Sequence, residues 1–436
     1  MSRRDASPKN ASTLKSVQRP VGKPFADGQH ENIDNAPTLD DIKAAAGRLQ
    51  DQVMRTPLVR ADKLSAMTGA DLWLKLENLQ YTGAFKERGA YNKLMTLSPD
   101  EKQAGVVAAS AGNHAQGVAL AAKKLGIKAK IVMPLTTPEV KVRQTKVLGA
   151  EIVLSGETYD DAQAAAERLR VEECLTLVHP FDDPAVIAGN GTITLEMLED
   201  GPKFDCLIIP IGGGGLISGM ALAAKRLNPE LRVLGVQTEH YPSMLNALDG
   251  ENRPMGQATL AEGIAVKAAG DLTRKIVKEV VDDIITVDEP SLERSLSILM
   301  NEQKLLVEGA GAAGLAAVFD NPKRFEGRTV GLILCGGNID QRLISMILMR
   351  DLARSGRLAR LRVQLIDAPG QLVRVATIIA EQDGNVIDVG HHRVYSDLPA
   401  KMTCMDVTID TEGQAHLDRI IGNLEMAGYI VEIADY

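Results

Sequence analysis

Three features of the sequence predict an α/β protein built on parallel sheets, followed by a smaller α+β unit. Between residues 85 and 355, short β-branched runs alternate with Ala-rich segments of ten or more residues, the signature of βαβ units. Two stretches, at 206–211 and 330–335, are apolar throughout, as strands covered on both faces must be. After residue 360 the order becomes strand, helix, strand, strand, helix, strand over about 75 residues, a ferredoxin-like arrangement.

Residues 1–37 precede this pattern. The first 24 hold six basic residues and one acid, Asp5, with few large apolar side chains. Such a segment cannot bury enough surface to offset its ordering entropy and is expected as a disordered tail. Its basic, Ser-rich composition is also that of an organelle transit peptide, though without an amphipathic apolar face. Thr38 opens a helix to about residue 54, with Asp41 completing a capping box. Strands are expected at 105–109, 130–133, 151–154, 206–211, 232–237 and 329–335. Helices are expected at 117–125, 159–171, 216–227 and 291–304. The first domain spans 38–350, with a small subdomain at about 81–181, and 351–360 (DLARSGRLAR) reads as a linker. In the last domain, 361–436, RVQLID is a strand and a helix runs to about 382. Strands follow near 386–394 and 402–409, then a helix at 411–427 and a strand at 429–434.

The 436 residues allow two to four domains. With 49 basic and 57 acidic residues the net charge is −8, which argues against a nucleic-acid partner. Residues 360–436 hold six basic and twelve acidic residues and so account for most of that charge. Aromatic residues are only 3%, too few for base-stacking platforms. Cys174, Cys206, Cys335 and Cys404 are far apart, without zinc, thioredoxin or disulfide-framework spacing, and no metal site is expected. A reducing, cytoplasmic setting follows. No apolar run reaches the roughly 18–20 residues that span a membrane.

Four strings can carry chemistry. Lys86 lies in Thr82-Gly-Ala-Phe-Lys-Glu-Arg-Gly-Ala90. Alone such a string is far more often just a surface lysine; held in a desolvated turn, its pKa would fall and free the amine for Schiff-base chemistry. Ser110-Ala-Gly112-Asn113-His114 ends a strand and opens a helix, so it is either a simple N-cap or an anion site. Gly212-Gly213-Gly214-Gly215-Leu216 leaves a buried strand for a helix, where glycine lets backbone amides wrap a phosphate. It lacks both the dinucleotide fingerprint and the P-loop lysine. Cys335-Gly-Gly-Asn338 ends another buried strand, where ligands of open α/β sheets bind.

In this order the strings resemble the threonine dehydratases (threonine ammonia-lyases), pyridoxal-phosphate enzymes of the tryptophan-synthase-β-like fold, over about residues 40–350. The string His179-Pro-Phe181-Asp-Asp-Pro184…Ala188-Gly189…Gly191-Thr192 is similar to the same family. The resemblance implies a role for each residue. Lys86 holds pyridoxal 5′-phosphate covalently and acts as the general base. Phe85 packs beneath the ring, and Asn113 bonds its 3-hydroxyl. Gly212, Gly213, Gly214, Gly215 and the amide of Leu216 hold the phosphate, and Cys335 faces the pyridine nitrogen. Ser110, Gly112 and His114 frame the substrate carboxylate. Ala84 and Cys335 stand where many members have Ser. Serine racemase is similar over the same region, but the Ser it uses before Gly-Asn-His is Ala111 here, and Leu245 replaces a cation ligand. Little racemisation is expected.

The C-terminal unit resembles an ACT domain, through Asp367-Ala-Pro-Gly370-Gln-Leu372 and Gly384-Asn385-Val386. The resemblance implies an amino-acid effector, isoleucine sometimes opposed by valine, held between paired domains near Asp367, Gly370, Leu372 and Asn385. A ferredoxin-like oligomerisation module without ligand is the alternative. The resemblance also implies a homotetramer, the short, one-ACT form, and feedback control of isoleucine synthesis. Two rival functions stay open: a serine- or hydroxyaspartate-preferring dehydratase, and a non-catalytic amino-acid sensor.

Overall fold

The computed structural model describes residues 33–392, 399 and 401–434. The expected disordered tail and the end of the strand near 386–394 lie largely outside these residues. The chain forms two compact units that divide between Ile339 and Asp340. Fourteen strands are named in chain order: β1 Leu58–Arg60, β2 Asp71–Lys75, β3 Val106–Ala109, β4 Ala129–Met133, β5 Glu151–Leu154, β6 Thr176–Leu177, β7 Cys206–Pro210, β8 Arg232–Thr238, β9 Asp283–Val287, β10 Thr329–Ile333, β11 Leu358–Ile366, β12 Asn385–His392, β13 Met402–Asp410 and β14 Ile430–Ile433.

The first unit contains two sheets. The larger has the order β1-β2-β10-β7-β8-β9 and is parallel except for the β1–β2 pair. The smaller, β5-β4-β3-β6, is parallel throughout. Every residue of β3 and β7 is buried, which is why those runs carry no polar alternation. Thr38 caps the first helix, Leu39–Leu49, with the expected reciprocal box to Asp41. The helix expected at 291–304 is α-helical over Glu289–Ile298 and widens to a π-turn over Leu299–Gln303. Strands β1, β2, β6 and β9 had no counterpart in the sequence reading. β6 is two residues long, and β2 (DLWLK) is closed at both ends by charged residues.

Glycine sets the approach of three helices. A Cβ on Gly189 would stand 2.5 Å from the Arg88 carbonyl oxygen, and one on Gly219 would stand 2.1 Å from that of Ile187. Helices Lys86–Met95, Pro184–Asp200 and Gly215–Leu227 therefore pack backbone against backbone.

Beneath that packing lies a buried ion network. The Arg88 side chain is 1% exposed. Its guanidinium donates to Glu77 at 2.8 and 2.9 Å and to Glu196 at 2.6 and 2.9 Å. Lys75, fully buried in β2, donates to Glu196 at 2.5 Å and to the Thr56 carbonyl at 2.7 Å. Two cations meet two carboxylates, so no charge is left over. Arg88 holds Glu77 in its ionised form despite burial.

The second unit is an antiparallel sheet of order β12-β13-β11-β14. Leu361, Val363, Met405, Val407 and Ile409 face a core shared with Val375, Ile379, Leu417, Ile420 and Leu424 from helices Gln371–Glu381 and Gln414–Met426. Helix Gln341–Arg354, capped by Asp340, belongs to this unit. The segment 351–360, expected as a linker, is the end of that helix, a short turn and the start of β11.

Glu77→Ala would leave the Arg88 charge only partly matched in the interior. It should lower unfolding stability by about 3–5 kcal/mol, read from the denaturant midpoint.

Candidate active site

The carboxyl ends of β3, β7 and β10 converge on a cavity of about 510 Å³ in the first unit. Phe85, Lys86, Ser110, Gly112, Asn113, His114, Gly212–Leu216 and Cys335 all line it. Residues more than 200 apart in sequence thus share one wall.

Lys86 begins the helix Lys86–Met95. The turn before it is stitched to the segment carrying Cys335. Ala84 bridges Gly336, the Phe85 N–H donates to the Cys335 carbonyl at 3.0 Å, and the Gly337 N–H donates to the Gly83 carbonyl at 2.8 Å. Gly83 has φ +72°, and a Cβ there would stand 2.8 Å from Asn338 Oδ1. Lys86 Nζ donates to the Pro180 carbonyl at 2.7 Å and lies 5.2 Å from the Phe85 ring centre. Desolvation lowers its pKa from 10.5 to about 8. At pH 7.5 roughly a quarter of such amines are uncharged, against about one in a thousand for an exposed lysine.

The glycine loop joins β7 to the 13-residue helix Gly215–Leu227. A Cβ on Gly213 would stand 2.4 Å from the Phe181 ring, and one on Gly215 would stand 2.7 Å from the Phe181 carbonyl oxygen. Gly214 adopts φ +99°. The Gly213 carbonyl accepts from Thr273 Oγ1 at 2.6 Å and from the Gly270 N–H at 3.2 Å. In a trans peptide the N–H points opposite its C=O, so this pair turns the Gly214 N–H the other way. The first-turn amides of the helix add positive potential. Asp182 secures the supporting element by accepting from the N–H groups of Asp271, Leu272 and Thr273.

The string Ser110–His114 opens the helix Asn113–Leu125. Asn113 Nδ2 donates to Glu308 at 2.9 and 3.1 Å, and Asn113 Oδ1 accepts from Asn338 Nδ2 at 2.8 Å. Ser110 Oγ accepts from the Gly112 N–H at 3.2 Å. His114 Nε2 is 2.8 Å from the Val178 carbonyl, which can only accept, so Nε2 carries the proton. Burial and Lys86 depress its pKa to about 3. The ring is neutral, and Nδ1 is a bare acceptor with no partner among the described residues. The His114 side chain therefore cannot donate to a carboxylate. The group it offers an anion is its backbone N–H, in the first turn of the helix.

Cys335 is buried, and burial pushes its thiol well above the ordinary value of 9.0, so it stays S–H. Glu308 is pushed up to about 7 by the same cause. Neither Glu308 nor Asn338's tie to Asn113 was foreseen from sequence. The available signal was an acid at the head of a helix, Gly309–Asp320, whose residues are almost all buried.

The expected effector residues behave differently. Asp367, Gly370 and Leu372 lie at the turn after β11, whose last residue pairs with Met402. Asn385 begins β12 and pairs with Asp410, which also pairs with Leu358 at the start of β11. One copy thus holds the two groups at opposite ends of its sheet, some 25 Å apart at about 3.3 Å per residue.

A desolvated lysine facing a glycine-built anion cradle defines an enzyme that does amine–carbonyl chemistry on a phosphorylated cofactor. The profile of the family described as "Pyridoxal-phosphate dependent enzyme" matches residues 49–336, and the chain belongs to that family. It is 45% identical over 398 residues to the L-threonine ammonia-lyase of Thermotoga maritima, covering 91% of this chain and 99% of that one. The structure of maize serine racemase is 36% identical with a TM-score of 0.68, over 73% of this chain and 99% of that one. The processed threonine deaminase isoform 2 of Solanum lycopersicum is 33% identical with a TM-score of 0.70, over 76% and 96%. The enzyme is pyridoxal-phosphate dependent, and the residues present fit that group: a cradle a single Cβ would fill, and an amine poised to condense.

Because the folded amine titrates near 8, the rate at which the cofactor-free chain condenses with pyridoxal phosphate should rise with pH and level off above about pH 8. Stopped-flow absorbance would read this, and a rate still rising steeply toward pH 10 would contradict it.

Proposed function

We propose that this chain dehydrates and deaminates L-threonine, the water lost on elimination being returned on hydrolysis, to give 2-oxobutanoate and ammonia. The observation that carries the reading is the match to the Thermotoga relative, too long to leave out either unit. Lys86 at the cavity supplies the reactive group the chemistry needs.

The cofactor, when bound, supplies an electron sink for charge developing at the substrate Cα. Gly212–Gly215 and the Leu216 amide would hold its phosphate, Phe85 and Asn113 its ring, and Cys335 its ring nitrogen as a neutral S–H. Lys86 Nζ takes the Cα proton; its lowered pKa lets it act as a base near neutrality. The Ser110 hydroxyl, the Gly112 segment and the first-turn amides orient the substrate carboxylate. Loss of the β-hydroxyl with a proton leaves an enamine, which tautomerises and hydrolyses to the oxo acid and ammonia. Ala111, packed at the edge of the small-sheet core, has no proton to give, which supports elimination over racemisation.

L-Serine is the second reading, favoured by the likeness to maize serine racemase. One methyl group decides between the two substrates, worth about 1–3 kcal/mol. For the second unit we propose isoleucine sensing, opposed by valine. An effector touching both Gly370 and Asn385 has to sit between copies, which supports a homo-oligomer.

Purified protein should release 2-oxobutanoate from L-threonine, and Lys86→Ala should lower kcat by more than about a thousandfold. Faster kcat/KM for L-serine would shift the assignment to the second reading. L-Isoleucine should suppress turnover, and Asn385→Ala should abolish that response with basal turnover unchanged. Turnover indifferent to isoleucine would remove the sensing proposal and leave the lyase.

A further inference from the structure

Glu308 has no part in the steps above, yet the cavity wall is built around its carboxylate. Its backbone N–H donates to the Gly336 carbonyl at 2.9 Å, and a Cβ on Gly336 would stand 2.5 Å from Oε1. Both carboxylate oxygens accept from Asn113 Nδ2, at 2.9 and 3.1 Å. At the other end of the same carboxamide, Asn113 Oδ1 accepts from Asn338 Nδ2 at 2.8 Å, and Asn338 Nδ2 is held by the Thr82 carbonyl at 2.7 Å.

These contacts admit one orientation of the Asn113 amide. An ionised carboxylate only accepts, so it must meet Nδ2. An amide NH₂ only donates, so it must meet Oδ1. The two oxygens of one carboxylate subtend about 40° at Nδ2, whereas the two amide N–H bonds diverge by about 120°. Glu308 therefore engages one N–H and leaves the second for a group in the cavity that Asn113 lines.

We propose that Glu308 is a positioning residue: it locks the Asn113 carboxamide so that an N–H, not a carbonyl, meets the phenolic oxygen of the cofactor. The proposal rests on the reading that Asn113 contacts that oxygen. A donor there favours the deprotonated oxygen, and a flipped amide would favour the protonated one. The charged and titratable groups acting on Glu308 are Lys86, Cys335, Glu262 and Lys141. In this setting the carboxyl changes charge near neutrality, and once protonated it no longer forbids the flipped amide.

The test measures pyridoxal-phosphate dissociation constants and the pH dependence of bound-cofactor absorbance from pH 6 to 9. It uses the full chain and the variants Glu308→Gln, Glu308→Ala and Asn113→Ala. Loss of a hydrogen bond to a charged group predicts about a tenfold weaker affinity for Glu308→Ala and Asn113→Ala. Glu308→Gln keeps an acceptor but cannot ionise. It should retain affinity within about threefold of the natural chain and lose the absorbance change near pH 7. Should Glu308→Ala not fold, an absorbance transition kept unaltered in Glu308→Gln overturns the proposal by itself. Wild-type affinity in Glu308→Ala alongside impaired Asn113→Ala overturns it and spares the Asn113 reading. Wild-type affinity in Asn113→Ala overturns that reading and the proposal with it.

Discussion

The guanidinium of Arg88, sealed in the interior two residues after Lys86, is the constraint on which the catalytic unit depends. A buried cation without partners would cost several kcal/mol, so its neighbours must be ionised and in place. Those neighbours come from elsewhere: Glu77 from the turn after β2, and Glu196 from helix Pro184–Asp200, itself tied to Lys75. Satisfying one charge brings a sheet edge, a long helix and the lysine-bearing helix to one point. The glycines at 189 and 219 let the helix backbones close over that point, because a single methyl group would hold them apart. Replacing such a network by apolar side chains is often neutral for stability, so its value here lies in register: it fixes where the helix carrying Lys86 begins.

Within the cavity, one cause acts on four groups. Desolvation lowers Lys86 and His114 and raises Glu308 and Cys335. Each is driven toward its uncharged form. A site whose bases and acids are already close to neutral moves protons without first neutralising large charges, which suits general acid–base work near pH 7. The backbone supplies the complementary feature, positive potential fixed in amides that do not titrate. The mobile protons belong to side chains, and the permanent field belongs to the glycine loop and the helix starts.

The second unit works by separation. Its antiparallel ladder runs long enough that the turn at Gly370 and the start of β12 at Asn385 cannot share a small ligand within one copy. If both bind the same effector, ligand occupancy and association between copies are linked, since each favours the arrangement the other needs.

The sequence alone determined the features that depend on near neighbours. Alternating β-branched and Ala-rich runs placed the parallel strands, because strands buried on both faces need apolar residues at every position. The Thr38–Asp41 box and the glycine loop were legible because capping and left-handed φ are decided within a few residues. For the same reason Lys86, Asn113 and Cys335 stood out in their strings. The short strands β1 and β6 left no pattern to read, and the end of the first unit was misplaced because helix Gln341–Arg354 continues without a composition break. Only the tertiary structure decided that Glu308 grips Asn113 across 195 positions, that the His114 ring spends its Nε2–H on Val178 and leaves Nδ1 as a bare acceptor, and that Gly370 and Asn385 stand apart. Those outcomes depend on which buried polar groups find partners once distant segments meet, and desolvation has no meaning until the cavity has closed.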